Sequence, residues 1–469
     1  MFSKIIFGLL ISLPALASYE SAEGIYNKGA TSLSGERKTI IELVESGYYF
    51  SAVPWMKNFL VKNTTPLDED LERAFDKMLY ITGLKPFETL PVDILSRSKS
   101  GNIRYILAKR LFKKNQPQEA LAELNRVGSD HSAYPYVAHM KGTIYSSLNK
   151  FTESEAQFKD CIRTSESQSS DTDSNIQKQQ YLLNRDYCIA GVARAQFANK
   201  NYQQAELNYL DIQKSSFVWP EILFEEAWTS YYVKNYNRTL GKLVSYKAPV
   251  FDFIFKPEVE ILKALTYMKM CLYEDAKKTA DEFYNELFQP SRDLRTFLQS
   301  RGKNYKYYYD LMADHENTKP APLPIIDSIL NSVEKEGAFI EMKGAFSTAI
   351  AEYNKIRNKP STGFRAKLMS NLKIVLDEYR TVLGAYVRAG MVMKYAELYS
   401  SFEGMSYIKL EILALRKERL YKTDNSTSGK KRGDVKYIER NDKQYFWTFN
   451  GEFWADELGD YVFALRSEC

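Results

Sequence analysis

The sequence predicts an all-α protein, in which a helical solenoid is followed by long coiled-coil-like helices and a short aromatic C-terminal tail. Three observations predict this fold class. Short phrases of one shape recur at regular spacing between residues 102 and 290, a heptad-like apolar stripe begins at Phe364, and Trp and Phe are concentrated after residue 445. The regular spacing indicates stacked helical units, and the heptad indicates a long packed helix.

The recurring phrases end on small residues that serve as markers. These markers are Ala120, Ser154, Ala205, Thr239 and Ala276. The steps between them are 34, 51, 34 and 37, and 51 equals 34 with 17 inserted residues. A 34-residue step among helical segments resembles the tetratricopeptide repeat family. The resemblance covers about half of the chain; the alternative is an unrelated helical bundle with accidental spacing.

The same register extends towards the N-terminus. Ala52 lies two steps of 34 before Ala120, inside a predicted hairpin from Thr39 to Lys62. The marker position between them is Pro86, so the second repeat is degenerate, with a first helix predicted from Asp68 to Ile81.

The predicted organisation follows from these signals. In chain order it comprises a signal peptide at 1–17, an N-terminal helical region with degenerate repeats at 18–101, a repeat array at 102–290 with an insert at about 164–180, a long helical extension at 291–422, a basic flexible loop at 423–444 and an aromatic tail at 445–469.

The first residues have the features of an export signal. Lys4 precedes an apolar run from Ile5 to Leu13, and Ala15-Leu16-Ala17 forms an A-x-A cleavage site before Ser18. The alternative is a membrane anchor, but the run is too short to span a bilayer. We therefore expect an exported protein without an integral membrane span in the mature chain, with the bacterial periplasm as the simplest location.

The net charge of +5 is concentrated in one segment, from Lys409 to Lys443. A nucleic-acid-binding protein would be more uniformly basic, so no nucleic-acid partner is expected. The basic loop at 423–444 is interpreted as a solvated linker in preference to a contact with an acidic lipid or polymer.

Four cysteines in an exported chain suggest two disulfides. In the repeat register, Cys161 falls on a second helix and Cys188 on the next first helix, with the polar insert looped out between them. We expect the pair Cys161–Cys188, which leaves Cys271–Cys469; the alternative is four reduced, buried thiols.

The extension is predicted to contain a helix from Leu294 to Met312, a proline-rich linker from Lys319 to Pro324, a helical segment from Ile325 to Ile356 and a long heptad helix. The heptad positions are Phe364, Leu368, Leu372, Val375, Tyr379, Val382, Tyr386, Ala389, Met393 and Ala396. Such a stripe packs against another helix. A partner helix within the chain is preferred to a second subunit, although self-association stays open.

The aromatic tail is too apolar to stay exposed in a soluble monomer. The tail ends in Cys469, and Cys271 lies in a turn that an incoming tail could reach. We therefore expect the tail to be fixed back across the solenoid, where it would be a lid for the groove. The alternative is that the tail anchors another molecule. The segment from Gly451 to Gly459 and the final Cys resemble the C-terminus of exported repeat proteins of gliding and predatory bacteria. That resemblance implies a cell-envelope assembly role linked to motility.

The tetratricopeptide resemblance also implies a peptide-binding groove, lined by fixed positions of each first helix. In this chain those positions hold Tyr105, Lys109, Phe112, His139, Arg194, Phe197, Trp228, Tyr231, Tyr232, Leu265 and Met268. Such a groove would suit a peptide with apolar anchors and an acidic group. Alternatively, these residues pack against the tail or the linker.

No catalytic, cofactor or metal motif is found. The three histidines, His131, His139 and His315, are not in metal-ligand spacing, and Asp171–Asn175 begins like a calcium loop but lacks its Gly and Glu. We expect a non-enzymatic scaffold that binds protein partners in a bacterial cell-envelope complex. The alternatives are an accessory protein or enzyme of cell-wall metabolism and a self-assembling structural subunit.

Overall fold

The structure is a computed structural model, and it describes residues 18–29, 32–173, 175–422, 438, 442, 445–446 and 448–469. Across these residues the regular secondary structure is entirely helical, so the all-α prediction is confirmed. The predicted signal peptide and all but two residues of the basic loop lie outside the described residues.

The α-helices follow one another with short connections. In chain order they are α1 Tyr19–Gly29, α2 Leu33–Glu45, α3 Tyr49–Lys62, α4 Glu69–Thr82, α5 Val92–Leu95, α6 Gly101–Lys113, α7 Pro117–Leu124, α8 Tyr134–Ser147, α9 Phe151–Asp171, α10 Asn175–Ala198, α11 Tyr202–Leu210, α12 Trp219–Tyr232, α13 Tyr236–Val244, α14 Glu258–Lys269, α15 Tyr273–Arg301, α16 Tyr305–Glu316, α17 Pro324–Glu334, α18 Gly337–Arg357 and α19 Gly363–Lys422.

The chain divides into two compact units. One contains the described residues as far as Leu107 together with Gly344–Tyr379, and the other contains Ala108–Lys343 together with Arg380–Cys469. The predicted N-terminal region therefore shares its unit with part of the helical extension.

In the first unit, the α18 residue Glu352 caps the N-terminus of α3. Its carboxylate accepts hydrogen bonds from the backbone N–H groups of Phe50 at 3.0 Å and Ser51 at 2.8 Å. Burial raises the pKa of Glu352, and the two N–H groups oppose this rise. A buried carboxylate thus satisfies two donors that a helix N-terminus leaves without an intrahelical partner.

One turn geometry recurs between the helices of each pair. Its central residue has a positive φ at Gly47, Asn115, Asn149, Lys200, Lys234 and Cys271. The following residue donates a backbone hydrogen bond five residues back, as in Lys150 N to Tyr145 O at 2.9 Å. This is the Schellman ending of a helix. Each such turn lies five residues before a marker residue, so the geometry repeats with the sequence register.

The markers themselves are buried where the two helices of a pair meet. Ala52, Ala120, Ser154, Ala205, Thr239 and Ala276 each have 0% exposure. On the preceding helix, Gly142 allows Phe158 to approach closely, since a Cβ at Gly142 would lie 2.8 Å from the Phe158 ring. Small residues at the crossing let the helices pack closely, as the register predicts.

The insert at about 164–180 is mainly helical, so the predicted loop is wrong. It extends α9 to Asp171 and lets α10 begin at Asn175. The segment contains no Gly or Pro and is rich in Ser and Gln, so no residue in it breaks a helix. Polar composition alone does not distinguish a loop from a solvated helix.

The extension also differs from its prediction. α15 continues through Pro290 to Arg301, and the chain then breaks at Gly302, where φ is +54°. The predicted helix from Leu294 to Met312 is therefore two helices, α15 and α16. The segment from Ile325 to Ile356 is likewise divided between α17 and α18.

The heptad stripe of α19 is buried only in its first half. Phe364 and Tyr379 are buried, but Met393 is 63% exposed, and Ala389 and Ala396 are also exposed. The buried stripe moves instead to Leu383, Val387, Met391 and Leu398. Successive four-residue steps rotate the buried face around the helix, so the predicted register is wrong beyond Tyr379.

Candidate functional site

The predicted groove residues lie on the first helices of successive pairs. Tyr105, Lys109 and Phe112 lie on α6, His139 on α8, Arg194 and Phe197 on α10, and Trp228, Tyr231 and Tyr232 on α12. The α6 residues fall on both sides of the boundary between the two units. The α10 and α12 residues lie in the second unit, and most of them are brought together.

An aromatic patch forms where α10 and α12 end. We define it as Phe197, Tyr202, Trp228, Tyr231 and Tyr232. The Tyr202 and Tyr232 rings stack with centroids 4.8 Å apart and an interplanar angle of 15°. Phe197 lies 5.1 Å from Tyr202 and 5.4 Å from Tyr232.

The α12 residues continue this patch. The Trp228 ring lies 5.5 Å from that of Tyr231 and 6.0 Å from that of Tyr232. Tyr232 is 46% exposed, and the other four residues are half-buried. The patch is therefore a preorganised aromatic surface with phenolic hydroxyl groups, of the kind that anchors protein partners.

Sequence reasoning missed Tyr202, which is the first residue of a second helix. The turn at Lys200 reverses the chain, so Tyr202 returns to face Phe197 at the end of α10. A signal was present, because an aromatic residue recurs three positions before the marker. It is found at Tyr49, Phe151, Tyr202, Tyr236 and Tyr273.

The predicted groove cation Arg194 is already paired. Its guanidinium contacts Glu225 at 2.7 Å and Glu221 at 3.2 Å, and the Tyr209 hydroxyl donates to Glu225 at 2.8 Å. Burial alone would lower the pKa of Arg194, but the two carboxylates raise it above its ordinary value. Arg194 is thus charged but compensated, which weakens the prediction that it receives an acidic group.

His139 is a packed side chain. Its ring lies 2.9 Å from the Asn184 amide oxygen and contacts the ring of Phe158, with centroids 5.8 Å apart. Burial lowers the pKa of His139. The hydrogen bond to Asn184 raises the pKa, and the positive charge of Arg194 lowers it further. His139 therefore favours the neutral form and adds no cation to the groove.

The extension covers part of the first-helix face. A Cβ at Gly337, where α18 begins, would lie 2.9 Å from the Leu183 side chain of α10. Further along, Gly404 of α19 lies beside Ile261 of the first helix α14, where an added Cβ would be 3.8 Å from the isoleucine side chain. Burial, the neighbouring hydroxyls of Tyr236 and Tyr232, and the Glu411 carboxylate of α19 raise the pKa of Tyr231 to about 12.

The aromatic tail docks along α13 and is not a lid over the first helices. Phe463 N donates to Asn237 O at 3.1 Å, and Gly459 N donates to the Ser245 hydroxyl at 2.9 Å. A Cβ at Gly241 would lie 1.7 Å from the Tyr461 carbonyl oxygen, so only glycine allows this approach. Leu458 joins the core beside α12. The tail thus follows the second helix α13 and reaches α12 only near Leu458, whereas contacts of α18 and α19 fall on the first helices α10 and α14.

Both predicted cysteine pairs are at disulfide distance. The Cys161–Cys188 bond is 2.03 Å long and joins α9 to α10, and the Cys271–Cys469 bond is 2.02 Å long and fixes the tail to the turn before α15. Among the described residues, His139 lies near the first bond in an arrangement that resembles a metal site. That bond uses both sulfurs, which leaves only the imidazole as a ligand.

Comparisons with known proteins identify no family. No family model matches the chain, and no curated protein matches it. Among solved structures, the chain is similar to one described as the crystal structure of the apo form of RapI. The match covers 76% of this chain and 97% of that one, at 10% identity and a TM-score of 0.33. A match this weak supports no functional conclusion. In the described part of the chain, no helix has the length and apolarity of a membrane span.

Proposed function

We propose that the protein is an exported helical-repeat scaffold that binds an apolar segment of a protein partner in a bacterial cell-envelope complex. The observation that carries the proposal is the aromatic patch, in which Tyr202 and Tyr232 stack at the exposed end of α12. The tetratricopeptide resemblance supports the proposal, because Phe197, Trp228, Tyr231 and Tyr232 are at positions where that family would bind a ligand.

The chemistry of the patch favours an apolar polypeptide over an acidic one. Its rings are held by one another, so little side-chain entropy is lost when a partner binds. Arg194 is paired with two glutamates, and His139 favours its neutral form. A partner would therefore place aliphatic or aromatic side chains against Tyr232 and Trp228, with hydrogen bonds to the phenolic hydroxyls.

Export and the envelope location have independent support. Two disulfides persist most readily in an oxidising compartment. The signal-like segment at 1–17 is consistent with the same compartment, and the resemblance of the tail to proteins of gliding and predatory bacteria supports the link to motility.

Crosslinked recovery from native envelopes tests the patch. We expect Trp228→Ala with Tyr232→Ala to abolish recovery of a defined envelope protein that the wild type captures. The matched control is Phe217→Ala, because Phe217 is an exposed aromatic residue outside the patch, with 66% exposure. Circular dichroism establishes that the variants fold. If the double variant retains every partner, the patch is not the binding site.

The proposed role is non-enzymatic. Purified protein is expected to release no soluble fragments from isolated cell-wall material, over a range of pH and added divalent cations. Release of fragments that increases with protein concentration would favour the alternative role in cell-wall metabolism.

A further inference from the structure

A second apolar surface runs along the C-terminal half of α19. Continuing the predicted heptad beyond residue 386 gives positions that are all exposed to solvent. They are Ala389, Met393, Ala396, Ser400, Glu403, Tyr407, Leu410 and Ala414, and we call them the α19 stripe. Met393, Tyr407 and Leu410 are 63%, 66% and 64% exposed. Glu403 is the one acidic or basic residue among them.

The opposite face of the same helix is already used. Leu398, Met405, Ile408 and Ile412 are buried in the second unit. Gly404 lies beside Ile261 of α14, where an added Cβ would be 3.8 Å from the isoleucine side chain. This segment of α19 is therefore apolar on two opposite faces, and packing within the described chain covers only one of them.

The spacing of the stripe shows which kind of element can cover it. Its steps are 4, 3, 4, 3, 4, 3 and 4 residues, which is the a/d spacing that packs against another helix in a left-handed coiled coil. The same series of steps is obtained in either chain direction. Two copies placed antiparallel about a two-fold axis between residues 401 and 402 therefore align every position of the stripe with a position of the other copy.

The residues that meet in this arrangement are chemically matched. The layers pair Ala389 with Ala414, Met393 with Leu410, Ala396 with Tyr407, and Ser400 with Glu403. In the third layer a small residue meets a bulky one, and in the fourth the Ser400 hydroxyl can donate to the Glu403 carboxylate. The two polar positions meet each other, so neither faces an apolar side chain.

The parallel arrangement lacks this match. Glu403 would face Glu403 of the second copy, and like charges directly opposed in a seam are unfavourable. Tyr407 would meet Tyr407, and the small residues would meet one another. The polar and bulky positions therefore favour the antiparallel pair.

We propose that two copies of this chain associate through the α19 stripe as an antiparallel two-helix coiled coil. The interface is isologous, because each layer occurs twice about the two-fold axis. Val392, Tyr399 and Leu413 flank the stripe and are exposed, so they widen the apolar contact on one side. The proposal does not depend on the aromatic patch, whose residues lie on α10 to α12.

Mass measurements on the full exported chain provide the first test. Light scattering over a concentration series should show the mass rising to that of a dimer. Leu410→Asp should raise the dimer dissociation constant at least about tenfold, because it places a charge in the seam. Ile374→Asp is the matched control, since Ile374 is 50% exposed on the same helix but outside the stripe. A constant monomer mass, or a dimer indifferent to Leu410→Asp, would overturn the proposal.

Cysteine crosslinking tests the orientation. The four native cysteines are paired, so an introduced thiol is distinguishable. Met393→Cys and Leu410→Cys should form a disulfide-linked dimer when the two variants are mixed, and neither should do so alone. In the antiparallel pair, the two copies of position 393 lie about 25 Å apart, given about 1.5 Å of rise per residue. Crosslinking of Met393→Cys with itself would instead indicate a parallel pair and refute the register.

Discussion

The two disulfides lie in regions that are built differently. Cys161–Cys188 closes a 27-residue segment inside the packed hairpin of α9 and α10. There Phe158 lies between two glycines, because a Cβ at Gly142 or Gly191 would be 2.8 or 2.6 Å from its ring. Asn184 also donates to Ser165 at 3.0 Å. The bond therefore joins helices that already have a shared core.

Cys271–Cys469 instead ends a tail that has no helix of its own among its described residues. The tail is held by main-chain contacts with α13 and with the turn between α14 and α15, such as Glu468 N to Met270 O at 2.9 Å. A few apolar side chains, including Phe463 and Leu465, add to the docking. Loss of the first bond should weaken a folded core, whereas loss of the second should release a segment and leave the core intact.

The largest expected effect comes from removing the hairpin bond. Cys161→Ala with Cys188→Ala should lower the free energy of unfolding by about 3 kcal/mol, since the unfolded chain regains the freedom of the closed segment. Urea denaturation under non-reducing conditions measures this change. Cys271→Ala with Cys469→Ala is the comparison. That bond closes a longer segment of 198 residues, but without it the tail can leave the folded core, so the folded chain regains freedom as well as the unfolded chain. The main transition should therefore stay near that of the wild type while chymotrypsin removes the tail. Equal losses in both variants would contradict the distinction.

A smaller effect is expected when the tail is displaced without breaking its disulfide. Gly241→Ala puts a methyl group where the Tyr461 carbonyl oxygen lies, 1.7 Å from the new Cβ, so the tail must move away from α13. Chymotrypsin should then cut after tail aromatics faster than in the wild type, and the C-terminal fragment should separate only after reduction. Gly344→Ala is the matched control, because no atom lies within 4 Å of a Cβ there. Unchanged cleavage would show that main-chain contact at Gly241 does not hold the tail.

The sequence predicted the repeat register because that register is repeated locally. Each turn ends its own helix, and each marker is a small residue, so both leave a signal within a few positions. The cysteine pairing followed from the same register. Tyr202 was missed because the family-based groove positions are confined to first helices, although the aromatic residue at that position recurs.

The failures have a common physical origin. Whether the insert at 164–180 forms a loop or extends two helices depends on packing between α9 and α10, which composition does not encode. The compensation of Arg194 by Glu221 and Glu225 likewise depends on the pairing of α10 with α12. The place where the tail docks depends on the close approach at Gly241, a tertiary contact.

The recurring turns permit a stabilising change. Lys234 has a φ of 65°, a region that is unfavourable for most side chains and that Asn and Gly adopt more readily. The equivalent turns already have Asn115 and Asn149. Lys234→Asn should therefore raise the free energy of unfolding by about 0.5 kcal/mol, and Lys234→Val should lower it. Thermal midpoints measure both, and a destabilised Asn variant would show that the lysine side chain is needed for another reason.

The last expected effect is the pH dependence of the α9–α10 hairpin. Burial holds the pKa of His139 below its ordinary value. As the pH falls below about 6.5, the unfolded chain binds a proton at this residue that the folded chain does not, so acidification favours unfolding.

The variant His139→Gln tests this effect, because glutamine does not titrate in this pH range and keeps an amide group near Asn184. The thermal midpoint of the wild type should therefore fall relative to that of the variant between pH 7.5 and pH 5.5, by less than the equivalent of about 1.4 kcal/mol per pH unit. Titratable groups that both proteins share contribute equally to the two thermal midpoints and cancel in their difference. If the difference between the midpoints of wild type and variant does not change with pH, His139 is protonated equally in the folded and unfolded chain. In that case its burial against Phe158 and Asn184 would have no electrostatic consequence, and the hairpin would depend on packing and its disulfide alone.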